Sequence, residues 1–334
     1  MAKKTFRQAI NETLDHEMDR DPRVLLIGED IAGGKAAEGE LDAWGGVMGV
    51  TKGLIKKYGE DRVLDTPISE AALIGAAAGA AATGLRPVAE LMFNDFLGVC
   101  LDQLMNQAAK FRYMFGGKVK TPLVVRTQFG GGLRAAAQHS QTLYSIFTHI
   151  PGLKVVVPST PYDAKGLLTT AIRDDDPVIF MEHKKMYDDL GEVPDESFAI
   201  PFGEGRIVQE GRDVTIVAMG RMVQVAQAAA RLVAGDGISC TILDPRTLSP
   251  LDEELLLELA ADTGRVVIVD EANPRCSVAS DLSAIICEGA FDDLKAPILR
   301  VTAPHTPVPF APNLEDIYLP SPERVAAAIR KVRH

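Results

Sequence analysis

Three side chains that could do chemistry each follow an apolar run of the length of a buried strand. They are the carboxylate Glu70, the aromatic ring Phe96 and the imidazole His139. In open parallel sheets, ligands bind beyond the carboxyl ends of the strands. A carboxylate, a ring face and an imidazole there would suit a flat, nitrogen-bearing heterocycle, and Glu29 after the first apolar run is a fourth candidate. Each residue alone also fits a structural role, so the site hypothesis depends on their joint placement.

The stretch from Asp65 to Phe96 contains the elements that would position Glu70. A strand ends near Leu64, Ser69 can cap the next helix, and an acid in the first turn favours the helix dipole. From Ala71 to Thr83 nearly every residue is Ala or Gly. Because an interior glycine costs a helix about 1 kcal/mol against alanine, this composition predicts a helix that packs at close range.

Strand and helix patterns alternate along the whole chain with short connections. This alternation predicts an α/β fold with doubly wound, mainly parallel sheets. One amphipathic helix is expected over Leu97–Tyr113, and another after Gln138-His139-Ser140 to about Thr148. The Gly-rich loop from Ile31 to Gly49 is long enough to be functional.

The length of 334 residues favours about two domains of ordinary size. Between Lys185 and Arg206 the alternation lapses into a polar segment with Pro and Gly, which is typical of a linker. We therefore predict a first domain over 1–190, a linker over 191–205 and a smaller domain over 206–334.

Composition excludes several classes of function. With 35 basic against 46 acidic residues, a net charge of −11 and no basic stripe, nucleic acid is not an expected partner. No apolar run approaches the ~20 residues of a membrane span. The four cysteines form no CxxC pair, which predicts reduced, mostly buried thiols in a cytoplasmic protein. The chain has no GxGxxG after a strand, no Walker lysine and no GxSxG.

Several longer motifs are specific to one family. They are RVLDTPISEAALIGAAAGAAATGLRPVAE, DQLMNQAAKFRYMFGGK, QHSQ, HIPGLKVVVPSTPYDAKGLL, AIRDDDPVIFMEH and DPRTLSPLD. On these the chain resembles the β subunits of the thiamine-diphosphate-dependent first components of 2-oxo acid dehydrogenase complexes. The resemblance implies a transketolase-like pyrimidine-binding domain and a transketolase C-terminal-type assembly domain. Within the family, the first loop, GGGLRAAAQHSQ, VDEANPRCSVASDLSA and APHTPVPF are most similar to acetoin dehydrogenase β subunits.

The resemblance implies roles for named side chains around the cofactor. Glu70 matches the glutamate that hydrogen-bonds N1′ of the aminopyrimidine, where a shared proton helps to activate the cofactor. His139 matches the histidine that faces the substrate and the incoming lipoyl group. The other expected cofactor neighbours are the apolar Ile68, Met92 and Phe96 and the acids Glu29 and Asp102.

A possible metal site is also implied by the resemblance. Ala171, Ile172, Asp174 and Asp176 match a loop that holds a monovalent cation, such as K⁺, in some relatives, and a solvated helix-end turn is the alternative. The magnesium and diphosphate are expected mainly on an α subunit. Gly235-Asp236-Gly237 resembles the start of the magnesium–diphosphate motif, but it falls between a helix and a strand, which indicates a turn.

The implied function is that of an oxidoreductase subunit that is active only with an α subunit. Two α and two β chains would form a heterotetramer that docks on a lipoyl-bearing acyltransferase core. Acetoin would be cleaved to acetaldehyde, and the acetyl unit would pass to lipoamide. The alternative substrate is pyruvate or another 2-oxo acid, because pyruvate gives the same two-carbon unit. An alternative of another class is a non-catalytic scaffolding subunit.

Overall fold

The computed structural model describes residues 1–33 and 44–333. The chain divides into two compact units, one formed by Met1–Phe129 with Ile146–Pro201 and the other by Gly130–Ser145 with Phe202–His334. Residues 130–145 therefore belong to the second unit, although their neighbours in sequence belong to the first. The domain and linker boundaries given above stay a prediction.

The first unit contains strands and short helices that largely follow the predicted alternation. Its strands are β1 (Ala2–Thr5), β2 (Val24–Gly28), β3 (Val63–Asp65), β4 (Arg86–Phe93), β5 (Val124–Phe129), β6 (Lys154–Val156), β7 (Val178–His183) and β8 (Leu190–Val193). Its helices are α1 (Phe6–Arg20), α2 (Leu54–Tyr58), α3 (Glu70–Ala82), α4 (Leu97–Asp102), α5 (Phe111–Met114), α6 (Tyr144–Thr148, which begins in the second unit) and α7 (Pro161–Arg173).

The central sheet of the first unit is parallel, in the order β6-β7-β5-β4-β2-β3. The strands are buried on both faces, as in β5 and β7, where every residue is buried. This is why they read as continuous apolar runs rather than alternating ones. The chain leaves β2 for β3 on one side and returns to β4 on the other, so the topological switch point lies at β2.

The structure corrects three expectations for the first unit. The helix expected over 97–113 is interrupted, since Cys100 has non-helical dihedrals (φ −120°, ψ 19°) and a π-helical turn follows over Gln103–Ala108. The helix expected after residue 140 begins only at Tyr144. The polar segment after residue 185 contains β8, which pairs antiparallel with β1.

The small-residue helix α3 also differs from expectation. Its buried residues include Leu73, Ile74 and Ala77, but within the described chain a Cβ on Gly79 would meet no atom within 4 Å. A Cβ on Gly75 would meet only Gln103 Cγ at 3.4 Å, which is an ordinary contact. Close packing inside this chain therefore does not explain the glycines.

The second unit is built on a five-stranded sheet in the order β14-β13-β10-β11-β9, with only β9 antiparallel to its neighbour. Helices α8 and α12 cover the apolar core formed by the central strands. The strands are β9 (Arg206–Gln209), β10 (Val214–Ala218), β11 (Cys240–Asp244), β12 (Thr247–Ser249), β13 (Val266–Asp270) and β14 (Leu299–Thr302). The helices are α8 (Met222–Ala234), α9 (Glu253–Thr263), α10 (Val278–Gly289), α11 (Pro312–Tyr318) and α12 (Pro322–Arg333).

Three smaller expectations can be compared with the structure. The turn expected at residues 235–237 is confirmed, because Gly235 caps α8 and Gly237 has φ +75°. Cys100 and Cys240 are buried as expected, whereas Cys276 and Cys287 are exposed because their loop and helix positions face solvent. No helix in the described part of the chain is long and apolar enough to cross a membrane.

Candidate active site

Two buried carboxylates lie at the switch point of the first sheet. Glu29 directly follows β2 and is 6% exposed, while Glu70 is the first residue of α3 and is 8% exposed. Ser69 occupies the N-cap position of α3 without a side-chain capping bond. The Glu70 carboxylate therefore lies where the helix N-terminus favours negative charge.

The Glu29 carboxyl holds its proton unusually strongly. Burial, and then the negative charges of Glu70, Asp30 and Glu90, together raise its pKa to about 7. Among the described residues, none hydrogen-bonds Glu29 Oε1. A buried polar atom of this kind is rarely left without a hydrogen-bond partner. The oxygen at the carboxyl end of β2 could therefore bond a ligand.

Three apolar side chains lie near the ends of the neighbouring elements, at the end of β4, in the turn that follows it and in the turn before α3. Phe96 ends the 3₁₀ turn after β4, and its ring stacks edge-on against Phe93 with centroids 5.8 Å apart. Met92 is half-buried near the end of β4. Ile68, in the turn before α3, is 84% exposed, so it lies outside the core and is available to another molecule.

Cys100 is a neighbour of Glu70 that the sequence did not identify as part of the site. Burial, and then the charge of Glu70, raise the pKa of its thiol to about 12. The thiol is therefore neutral and adds a nonpolar surface beside Glu70. Asp102 differs from the other candidate acids, because it is exposed and accepts a hydrogen bond from Asn106 at 2.7 Å.

A buried network of charges crosses the middle of the same sheet. The Arg126 guanidinium donates to both carboxylate oxygens of Glu182, at 2.6 and 2.8 Å, and to Glu90 Oε2 at 2.8 Å. Tyr187 Oη donates to Glu182 at 2.6 Å. Burial raises the pKa of Glu90 despite the nearby guanidinium. Sequence analysis missed this network, whose signal is one charged residue inside each of three apolar strands.

One described residue of the first loop lies close to this network. A Cβ on Gly46 would lie 3.2 Å from Glu90 Oε1, and Gly46 adopts φ +76°, a conformation that glycine favours. Thr51 bonds the Ile31 carbonyl through its hydroxyl at 2.7 Å, which ties the two ends of the loop together. The rest of the loop predicted over Ile31–Gly49, residues 34–43, lies outside the described residues.

The predicted cation loop already has protein partners. Arg86 donates to the carbonyl oxygens of Ile172 and Asp174 at 3.0 and 2.8 Å. Lys154 Nζ bonds both carboxylate oxygens of Asp174, and Arg112 pairs with Asp176 at 2.5 Å. Ala171 lies in the last turn of α7. Across residues 1–33 and 44–333, no group of three or more His, Cys, Asp and Glu side chains is arranged to hold a metal ion.

His139 belongs to the second unit, whereas the acids and apolar residues above belong to the first. It is half-buried in a loop, and its backbone amide donates to the Ala136 carbonyl at 3.5 Å. Earlier in the same loop, Arg134 and Ala136 have positive φ values of 59° and 61°. Such values are uncommon for residues other than glycine and occur often at functional sites.

Comparison with known proteins assigns both units to one superfamily. Residues 2–189 match the transketolase pyrimidine-binding domain, and residues 203–325 match the transketolase C-terminal domain. The solved structure of a split-gene transketolase, an inactive β4 tetramer, superimposes with a TM-score of 0.78 at 24% sequence identity. The match covers 98% of this chain and 98% of the transketolase chain. This likeness confirms the predicted fold class.

Two relatives of similar length have higher sequence identity to this chain than the split-gene transketolase has. The β subunit of acetoin:2,6-dichlorophenolindophenol oxidoreductase from Cupriavidus necator is 62% identical over 99% of this chain and 98% of its own. The β subunit of the pyruvate dehydrogenase E1 component from Acholeplasma laidlawii is 44% identical over 99% of this chain and 98% of its own length. The predicted resemblance, including its order of preference, is confirmed.

Proposed function

Because this chain belongs to the transketolase-like family of dehydrogenase β subunits, we propose that it is the β subunit of a thiamine-diphosphate-dependent, acetoin-cleaving oxidoreductase. The single observation that carries this proposal is the 62% identity to an acetoin oxidoreductase β subunit, against 44% to a pyruvate dehydrogenase β subunit. The alternative substrate, pyruvate or another 2-oxo acid, has the support of the second relative.

The residues at the carboxyl end of β2 and the N-terminus of α3 fit the aminopyrimidine half of thiamine diphosphate. A buried carboxylate at the α3 N-terminus, an unsatisfied oxygen of Glu29 and the apolar Met92 and Phe96 match a flat ring with hydrogen-bonding nitrogens. When bound, this cofactor supplies a nucleophilic carbon that adds to a carbonyl and stabilises the charge left when a carbon–carbon bond breaks.

Each side chain has a distinct task in this proposal. Glu70, a buried carboxylate, would share a proton with N1′ of the pyrimidine ring. Because its pKa is raised to about 7, the Glu29 carboxyl is itself partly protonated near neutral pH, which limits repulsion between the two carboxyls. Ile68, Met92 and Phe96 hold the ring by apolar contact. His139 takes the hydroxyl proton of acetoin as acetaldehyde leaves.

The partners follow from the family. We propose that an α subunit holds the magnesium and the diphosphate, that two chains of each kind assemble, and that the acetyl unit passes to a lipoyl-bearing acyltransferase in the cytoplasm. A monovalent cation at residues 171–176 remains a prediction. Its carbonyl ligands would have to be shared with Arg86, which already bonds Ile172 and Asp174.

Substrate preference is the test of this proposal. The chain is co-purified with its α subunit, and reduction of 2,6-dichlorophenolindophenol is followed with acetoin or with pyruvate as the substrate. We expect kcat/KM for acetoin to exceed that for pyruvate at least about tenfold. A tenfold ratio corresponds to a difference of about 1.4 kcal/mol in transition-state binding between the two substrates. A preference for pyruvate of the same size would replace acetoin with the 2-oxo acid.

A Glu70→Gln substitution separates a catalytic from a scaffolding subunit. Glutamine keeps the size of the side chain but cannot share the proton, so kcat should fall by about 10²–10⁴. Glu60→Gln, at an exposed position in the same unit, is the matched control. Full activity of the Glu70→Gln complex would assign this chain a scaffolding role.

A further inference from the structure

We propose that Asp270, Glu271 and Glu315 are positioning residues that hold the His139 segment, residues 130–145, at both of its ends. The proposal rests on the role of His139 in the proposed function. These carboxylates lie in the transketolase C-terminal-type region, which the sequence suggested only for assembly. All contacts that carry the proposal lie within the second unit.

The start of the segment is held through its backbone. Gly131 N–H donates to Glu271 Oε1 at 2.5 Å, and Gly132 N–H donates to Glu315 Oε1 at 2.7 Å. Glu271 is 4% exposed and Glu315 is fully buried. A Cβ on Gly131 would lie 3.0 Å from Leu319 Cδ2 and 3.2 Å from Glu315 Oε1, so the glycine permits this approach.

An ion pair fixes the next turn of the segment. Arg134 donates to the second carboxylate oxygen of Glu315 at 2.6 Å and to Asp316 at 2.7 Å. Glu315 thus binds a backbone amide with one oxygen and a guanidinium with the other. Because hydrogen bonds to charged groups are short and strong, this pairing supports the positive φ values of Arg134 and Ala136.

The far end of the segment is held by the residue next to Glu271. The hydroxyl of Tyr144, which is 1% exposed, donates to the fully buried Asp270. Asp270 also accepts from the amides of Ala272 at 2.8 Å and Ala279 at 3.3 Å, which fixes its orientation. Two consecutive residues at the end of β13 therefore anchor opposite ends of the loop that contains His139.

The test is a double-mutant cycle in the αβ complex. Glu271→Ala should lower kcat for acetoin about tenfold with little change in KM, since the segment loses its anchor and His139 its position. Glu271→Gln, which retains an oxygen acceptor for Gly131, should stay within about threefold of the wild type. Asp236→Ala, which removes an exposed ion pair with Arg330 and no bond to the segment, is the matched control.

The variant His139→Ala decides how the anchor acts. If Glu271 works through His139, then Glu271→Ala in the His139→Ala background should lower kcat by no more than about twofold further. Two independent tenfold losses would overturn the positioning role. Wild-type kcat for Glu271→Ala would also overturn it, even where His139→Ala is impaired. Full activity of His139→Ala would instead overturn the proposed role of His139, on which the anchor depends.

Thermal unfolding of each complex shows whether a variant is folded. Should Glu271→Ala fail to fold, Tyr144→Phe becomes the deciding variant, because it removes one hydroxyl and leaves the ring in place. We expect it to lower kcat about three- to tenfold in the wild-type background and not in the His139→Ala background. Equal losses in both backgrounds would contradict the proposal.

Discussion

Folding raises the pKa of the Glu29 carboxyl toward neutral pH. Its pKa is about 7 in the folded chain, because burial and three neighbouring acids disfavour the charged form. The folded state therefore binds more protons than the unfolded state between about pH 4.5 and pH 7. By linkage, this carboxyl lowers the free energy of unfolding as the pH rises through that window.

A Glu29→Gln substitution should remove this part of the pH dependence. Relative to the wild-type chain, the variant should gain stability as the pH rises from about 4.5 to above 7, because glutamine never ionises. Urea unfolding at a series of pH values measures the difference. Glu60→Gln, at an exposed position, should leave the slope unchanged. Parallel stability curves for Glu29→Gln and the wild type would contradict the shifted pKa.

Some residues of the site could be predicted because a local sequence pattern places them, and others could not. Glu29 directly follows β2, Glu70 opens α3 and Phe96 ends the short turn after β4, so the strand ends predict their places at one end of the sheet. Cys100 could not be recognised, since it lies in the middle of the helix expected over 97–113, and no sequence pattern indicates its proximity to Glu70. The roles of the site residues stay predictions.

At the scale of elements, the charged network across β4, β5 and β7 should contribute strongly to stability. Arg126→Met removes the cation and leaves the carboxylates of Glu90 and Glu182 buried without it. Removing one partner of a buried pair typically costs about 3–5 kcal/mol. Chemical unfolding of the purified chain measures this loss.

The control for this prediction is an exposed ion pair of the same unit. Lys57 pairs with Asp15 at 2.7 Å, with side chains 48% and 33% exposed. Lys57→Met should change the free energy of unfolding by no more than about 1 kcal/mol, because exposed pairs contribute little. Similar losses for Arg126→Met and Lys57→Met would contradict the network's role.

Element prediction succeeded where burial determines the pattern. The strands β10, β11 and β13 are fully buried and mainly apolar, and the sequence predicts them within a few residues. The edge strands β1 and β8 are short and partly polar, so their antiparallel pairing leaves no apolar pattern. The π-helical turn at Gln103–Ala108 is likewise invisible, since apolar spacing in it still resembles a helix.

For the whole molecule, the sequence predicts two α/β units, and the family matches agree with it. It could not predict that residues 130–145 associate with the second unit. That association depends on hydrogen bonds from Gly131 and Gly132 to Glu271 and Glu315, which are 140 and 183 positions away. Local patterns contain no information about partners at such distances along the chain.

We propose that this chain holds the pyrimidine side of a cofactor site that an α subunit completes. The most direct measurement is calorimetric titration of thiamine diphosphate with Mg²⁺ into the purified chain and into its co-purified complex with the α subunit. We predict saturable binding to the complex and none to the chain alone, with binding to a Glu70→Gln complex weakened. Equally tight binding to the chain alone would contradict the shared site, and no binding to the complex would contradict the cofactor itself.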